Sequence, residues 1–222
     1  MKLSDNTVTV LKNFASINPN FKTKGGNVIH TISGAKNVLA KATISEQFPS
    51  PFAIYDLGAL LSVINLYDDP ELNVLETELV ISNDKGMTTH YSLCSESLFQ
   101  VKEINKVPPA VVDVTIKKDQ FEQISKFAAA LSAADITFVG KKGKNIKIVI
   151  ADKANPASHK QEFTLPDTAD ADFKFFLKVS NLNLLPGDYT VSFAEKAISR
   201  FKNNNMEVEY FIALEADSTY SN

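Results

Sequence analysis

Between Ser4 and Ala15, Thr7, Val10, Leu11 and Phe14 stand at i, i+3, i+4 and i+7, a spacing that predicts a helix with one buried face. Ser4 or Asp5 supplies its N-cap. After Pro19 the period shortens to two. Val28, His30 and Ile32 share one strand face, Ile29 and Thr31 take the other, and Gly25-Gly26 reads as the hairpin turn ahead of them. Val38, Ala40, Ala42 and Ile44 continue the alternation. Phe52 to Tyr55 runs into Asp56, the cap of a second short helix carrying Leu57, Leu60, Leu61 and Ile64. Glu78 to Ser82 and Met87 to Leu93 then flank the turn Asn83-Asp84-Lys85-Gly86.

Periodicity lapses from Ser95 to Val112, a stretch that holds Pro108-Pro109 and reads as a connecting segment. Beyond it the order begins again. Phe121, Ile124, Ala128 and Leu131 predict a helix opened by Lys118 or Asp119, and Ile146, Ile148 and Ile150 a strand after the turn Gly140-Lys141-Lys142-Gly143. Phe173, Phe175, Leu177 and Val179 alternate and lead into Ser180-Asn181-Leu182, a cap and apolar turn placed as Asp56-Leu57 is in the first half. Tyr189, Val191 and Phe193, then Met206, Val208, Tyr210, Ile212 and Leu214, supply the last strands around Asn203-Asn204-Asn205. Leu11-Lys12-Asn13-Phe14-Ala15 matches Ile124-Ser125-Lys126-Phe127-Ala128, and Lys24-Gly25-Gly26-Asn27 matches Lys142-Gly143-Lys144-Asn145. Their common order, at offsets of 113 to 118 residues, predicts a duplicated α+β domain: residues 1–94 and 113–222, joined by 95–112.

A chain of 222 residues is long enough for two such domains, and its 44% hydrophobic and 22% charged content excludes disorder over most of its length. One cysteine, Cys94, excludes an intramolecular disulfide and a cysteine-built zinc site, which suits a reducing compartment. Lys and Arg number 23 against 26 Asp and Glu, a net charge of −3 that excludes a uniformly basic coat but leaves room for a basic face. Nowhere do about 18 apolar residues run together, and the N-terminus lacks the apolar core of a leader, so a soluble, unsecreted protein is expected.

Local motifs carry no chemistry of catalysis. His30, His90 and His159 are too scattered for a metal site, and Asp68-Asp69-Pro70 with Glu71 reads as turn chemistry rather than a cation site. Gly140 to Lys144 lacks the spacer, the Ser/Thr and the following helix of a phosphate loop, which makes it a basic hairpin. Cys94 reads as an ordinary, half-buried thiol. The helices offer a different signal. Asp5, Thr9, Lys12 and Ser16 lie opposite the first apolar stripe, and Asp119, Glu122, Lys126 and Ala129 opposite the second, so Lys12 and Lys126 occupy matching exposed sites. A repeated weak contact to phosphate oxygens fits them, as does a plain solvated face, and nothing there would read bases.

Five separated segments carry a family resemblance: the opening MKLSDNTVTVLKNFASIN, Ala53 to Leu57, Asp68-Asp69, Leu185-Pro186-Gly187-Asp188-Tyr189, and Ala213 to Thr219. In them the chain resembles the sliding clamps of T-even-type bacteriophages, over its whole length and least between Glu71 and Val112. The resemblance implies a DNA-clamp fold with helices lining a central hole and sheets outside, closed as a homotrimer around duplex DNA. It also implies a clamp loader that spends its own ATP, a DNA polymerase tethered by a C-terminal peptide, late-transcription factors as further partners, and a place in the cytoplasm of the infected host. No active site, cofactor, metal or membrane is implied.

On that resemblance the DNA-facing residues are Lys12 and Lys126, then Lys2, Lys117 and Lys118 at the helix starts, and Lys141, Lys142 and Lys144 on the hairpin. The family shows more than one basic residue on the second-half helix, where this chain has Ala128 and Ala129. The partner-peptide pocket is expected from Leu98, Phe99, Val101, Val107 and Pro108 with Phe211, Ile212 and Leu214. Two readings from other classes stand beside it: a structural ring or tube protein of a phage particle, and an enzyme whose groups assemble only in three dimensions.

Overall fold

The computed structural model describes residues 1–99, 107–195 and 198–221, and the chain divides into two compact units, Met1–Asn105 and Lys106–Asn222. In the first, α1 (Asp5–Ile17) starts where the Ser4 hydroxyl accepts the Thr7 N–H at 3.2 Å, and buries Thr7, Val10, Leu11, Asn13 and Phe14. It stops at Asn18, whose side chain donates to the Ile32 carbonyl and accepts from the Asn20 N–H, with Pro19 unable to continue the helix. Strands β1 (Phe21–Thr23), β2 (Gly26–Ile32), β3 (Val38–Phe48) and β4 (Phe52–Ile54) follow. The short helix α2 (Leu57–Ile64) is capped by Asp56 Oδ1 on the Ala59 N–H at 2.9 Å. Eight residues cannot hold a helix alone. Burial of Leu57, Leu60, Leu61 and Ile64, with α1 beside them, contributes about 1.5–3 kcal/mol for each side chain.

Strands β5 (Glu71–Val74), β6 (Glu78–Ser82) and β7 (Thr88–Ser92) complete the first unit as an antiparallel set. β2 pairs β3 and β1 pairs β4. Met1 and Leu72 exchange two backbone hydrogen bonds of 2.7 Å, which adds the N-terminus to the edge of β5. Cys94 forms a lone bridge to Ala53 on β4.

The second unit opens with β8 (Ala110–Ile116), so the last three residues of the segment read as a connection already belong to a strand. Helix α3 (Lys118–Ala130) follows, then β9 (Asp135–Gly140), β10 (Asn145–Ala151), β11 (Gln161–Thr168) and β12 (Asp172–Lys178). A 3-10 turn at Val179–Asn181 leads to β13 (Tyr189–Ala194), β14 (Ile198–Asn203), β15 (Val208–Ala213) and β16 (Thr219–Ser221). β11-β10-β9-β12-β16 form one sheet, and β15-β14-β13-β8 pair in that order. The two layers meet through aromatic rings: Phe175 of β12 stacks on Phe193 of β13 at 4.7 Å, and Phe138 of β9 meets the same ring at 4.7 Å.

Both units therefore share the order helix, four strands, short helix or turn, three strands, and the second adds β8 before its helix and β16 at its end. Pairing repeats as well: β8 lies on β13 as Met1 lies on β5, and β16 lies on β12 as Cys94 lies on β4. The buried positions set the register of the repeat. Thr7, Val10 and Phe14 each lie 114 residues before Phe121, Ile124 and Ala128, one residue off the offset of the local sequence match. On this register Lys12 and Lys126 are equivalent.

Two turn expectations change. Gly25 and Gly26 do adopt φ of 83° and 78°, but β1 pairs β4 and β2 pairs β3, so they pass the chain between ladders rather than close a hairpin. The counterpart of α2 is only a 3-10 turn. Its N-cap, Lys178, makes no side-chain cap bond, and Pro186-Gly187 ends the helical possibilities within two turns.

Candidate nucleic-acid interface

Lys12 and Lys126 project from the exposed sides of α1 and α3, and among the described residues neither makes an ion pair. Lys12 borders a shallow groove of about 260 Å³ between α1 and α2, shared with Ala15, Gly58, Leu61, Ser62 and Asn65. A cation at the mouth of a groove of small polar groups can meet a phosphate oxygen without reading a base.

The remaining candidate lysines divide by partner. Lys2 pairs with Asp69, Lys117 with Asp188 at 2.9 Å, and Lys141 with Asp172 at 3.0 Å. Hydrogen bonding to Asp69 pushes the Lys2 ammonium up from its ordinary value. The Lys142 N–H and the Lys141 ammonium hold Asp172 below the usual carboxylate range. Lys118, Lys142 and Lys144 have exposed side chains without an ion pair among the described residues. Exposed pairs of this kind contribute about 0–1 kcal/mol each.

Each long helix also carries a carboxylate at its N-terminal end, brought from another element. Glu46 on β3 accepts the Ser4 N–H at 2.5 Å and the Thr7 hydroxyl. Burial pushes its carboxyl up, and the bonds from Thr7 and Ser4 more than offset this, leaving it below its ordinary value. Asp188 accepts the Lys118 N–H at 2.9 Å and the Lys117 ammonium, which hold its carboxyl low. Pattern reading missed both carboxylates, because 42 and 70 residues separate each from the N–H it accepts. The LPGDY segment that carries Asp188 was a resemblance signal with no role attached.

Ala128 is buried at 1% exposure, so its size answers to packing and only Ala129 faces outward. The expected pocket residues separate. Leu98 and Phe99 line a cleft of about 220 Å³ in the first unit, with Asn18, Lys22, Ile32 and Lys36. Val107 and Pro108 are exposed, and Val101 lies outside the described residues. Phe211, Ile212 and Leu214 are buried at 5%, 0% and 8% exposure, so these side chains hold the core and have no area to offer a peptide.

Among the described residues no three His, Cys, Asp or Glu side chains come together as a metal site, and no helix is long and apolar enough to cross a membrane. His90 lies 3.1 Å from Glu78. Asp68 and Asp69 are tied to Lys85 and Lys2 in a turn where Asp69 takes φ of 51°. The Cys94 thiol is half-buried, and burial pushes it up.

Residues 3–98 match the family described as DNA polymerase processivity factor, and residues 113–216 that described as gp45 sliding clamp, C terminal. The sliding clamp of Vibrio phage KVP40 is 33% identical over 222 residues, covering 97% of this chain and all of that one. The sliding clamps of Escherichia phage RB69 and Enterobacteria phage T4 are 31% and 30% identical, each over 99% of both chains. Among solved structures, the A. fulgidus PCNA superposes with a TM-score of 0.72 at 12% identity, over 97% of each chain. The Streptococcus pneumoniae DNA polymerase III beta chain does so at 0.69 and 14% identity, over 96% of this chain and 63% of that one. The structural likeness shows the DNA-clamp fold, and the sequence matches show that this chain belongs to the phage sliding-clamp family of DNA polymerase processivity factors.

Proposed function

We propose that three copies of this chain close into a ring around duplex DNA, with α1 and α3 facing the duplex and Lys12 and Lys126 as its principal phosphate contacts. The observation that carries this reading is the shared 114-residue offset of the two lysines and of the buried positions beneath them. It supplies equivalent weak cations in both halves of every subunit. A duplex carries one charge per about 1.7 Å of axis, so a ring that slides needs diffuse attraction without deep local minima. Lys2, Lys117, Lys118, Lys141, Lys142 and Lys144 add to that field.

The boundaries we propose are a clamp domain over 1–94 and a second over 113–222, with the connection over 95–112 giving its last three residues to β8 of the second domain. A clamp loader using its own ATP opens the ring, and the polymerase is held by its C-terminal peptide. We place that peptide in the cleft of Ile32, Leu98 and Phe99, where Lys22 and Lys36 supply positive charge beside the apolar lining. Late-transcription factors would use the same cleft in the cytoplasm of the infected host, and the chain itself catalyses nothing. Membership of a processivity-factor family favours this reading over a structural tube of the particle.

The test is topological. Loaded onto circular primed DNA with loader and ATP, the protein should be a trimer by light scattering, stay on the circle, and leave when the circle is cut. Equal retention on linear and circular DNA would exclude encirclement. Lys12→Glu with Lys126→Glu should lower loading and loader ATPase stimulation several-fold with the trimer intact; unchanged values would remove these lysines from the interface.

A further inference from the structure

A helix N-terminus with open N–H groups is a ready-made phosphate site, because unpaired donors and the helix dipole converge there. A ring that slides along phosphates with its helices inward presents such ends to the backbone at every step. In this chain both long helices have theirs occupied. Glu46 takes the Ser4 N–H and the Thr7 hydroxyl at the start of α1, and Asp188 takes the Lys118 N–H and the Lys117 ammonium at the start of α3.

The carboxylates come from different places, a strand in the first unit and the loop ahead of β13 in the second. The local caps did not require the same answer in both. α1 already has the Ser4 hydroxyl on Thr7, whereas Lys117 at the head of α3 gives no side-chain cap and Gln120 returns only to the Lys117 N–H. A carboxylate at both ends therefore does more than complete a missing cap. Asp188 also neutralises Lys117, a cation that would otherwise stand beside the open N-terminus as a second phosphate ligand.

We propose that Glu46 and Asp188 are positioning residues that set the friction of the ring on DNA. Each fills the anion site at the end of a DNA-facing helix, so phosphates are attracted by Lys12 and Lys126 along the helix bodies and are not captured at the helix ends. This rests on the reading that α1 and α3 face the duplex. Asp188→Asn and Glu46→Gln keep the shape and one acceptor oxygen for the backbone N–H, remove the charge, and put an amide NH2 in place of the oxygen that takes the Lys117 ammonium or the Thr7 hydroxyl. The first also releases Lys117.

The experiment follows dye-labelled rings, loaded on stretched, end-blocked duplex, by single-molecule tracking over a salt series, with melting temperature and oligomeric mass measured on each variant. Asp188→Asn and Glu46→Gln should each slow diffusion at least about twofold at low salt, and binding of a short duplex should steepen by about 0.9 in salt slope per phosphate gained. Adding Lys117→Gln to Asp188→Asn should relieve the part of that slowing that the released ammonium contributes. Parental diffusion in both carboxylate variants, with melting and mass unchanged, would overturn the proposal. Should one variant melt early, the other decides alone: slowed diffusion in the carboxylate variant that keeps the parent melting temperature and mass supports the proposal, and parental diffusion in it overturns the proposal. Lys12→Glu with Lys126→Glu separates the two levels. If that variant also leaves DNA behaviour unchanged, the DNA-facing reading has failed. If it responds while the carboxylate variants do not, only the friction role has.

Discussion

The ring of Phe173 on β12 occupies the space over Gly140, its direct partner on β9: a Cβ built on Gly140 would lie 2.2 Å from Phe173 Cε1. Phe173 cannot swing away, because it is buried at 3% exposure and stacked on Phe175 at 4.9 Å. An aromatic covering a strand glycine protects that position and pins the register of the pair. Gly140→Ala should therefore destabilise the protein by about 1–3 kcal/mol, the usual cost of overpacking a core. Urea unfolding should show a lower midpoint with an unchanged m-value, and an unchanged midpoint would mean the ring yields freely.

The helix cap at Asp56 gives a second prediction. Its side chain satisfies the Ala59 N–H at the start of an eight-residue helix whose apolar face holds Leu57, Leu60, Leu61 and Ile64. Asp56→Ala should cost about 1 kcal/mol, and Asp56→Ser should recover most of it. Ser180→Ala, at the matching place in the second unit, should cost less than about 0.5 kcal/mol, because the hydroxyl caps no helix there. Equal losses at the two positions would contradict the difference between the units.

What the sequence made legible follows from exposure on one face. The stripes of α1 and α3 and the alternation of β3, β10 and β12 were readable because polar residues interrupt their outer sides, whereas α2 was readable from its Asp56 cap and the spacing of its leucines. β9 was not, since Asp135, Ile136, Thr137 and Phe138 are buried in succession and leave no period. Tyr210, Phe211 and Ile212 are likewise buried in a run, so the strand that the resemblance assigned to a pocket lining fills the core instead. β5 has a single fully buried residue, Leu72, too little signal for a strand. In the site, Lys12 and Lys126 were legible as exposed lysines at helical spacing. Glu46 and Asp188 were not, because the contacts that matter join distant parts of the chain.

Stability should bend at both ends of the pH scale, for separable reasons. Glu46 has a folded pKa below its ordinary value, so its contribution is present above the unfolded value near 4.3 and is lost as pH falls through the folded one. Tyr189 behaves in the opposite direction. Burial pushes its phenol up to about 12, against a weaker lowering by the Asn203 hydrogen bond. Its contribution is complete below the unfolded value near 10 and is lost as pH rises through about 12, on the order of 2–3 kcal/mol in all. Tyr189→Phe should cost about 1 kcal/mol at neutral pH, through the lost bonds to Leu185 and Asn203, and should make the alkaline limb shallower, the rest coming from Tyr210, whose phenol is also pushed up by burial. Chemical unfolding from pH 7 to 11 would show both, and an equally steep alkaline limb in the variant would assign it elsewhere.

Adjacent alanines on α3 allow the sharpest comparison of packing with charge. Ala128 is buried beside Phe121 and Ile124, while Ala129 is exposed three residues beyond Lys126, on the side proposed to face DNA. Lysine is nearly as good a helix former as alanine, so Ala129→Lys should change stability by less than about 0.5 kcal/mol. It should also tighten duplex binding at low salt, with a slope steeper by about 0.9 for each phosphate the new ammonium reaches. Ala128→Lys places the same charge in the core, where it has no partner and no room, and should cost about 4 kcal/mol or more. Duplex binding by anisotropy and thermal melting of the two variants separate these effects. A tighter complex from a stable Ala129→Lys protein would mark the outer side of α3 as near phosphates, and unchanged binding at every salt concentration would place that side away from DNA.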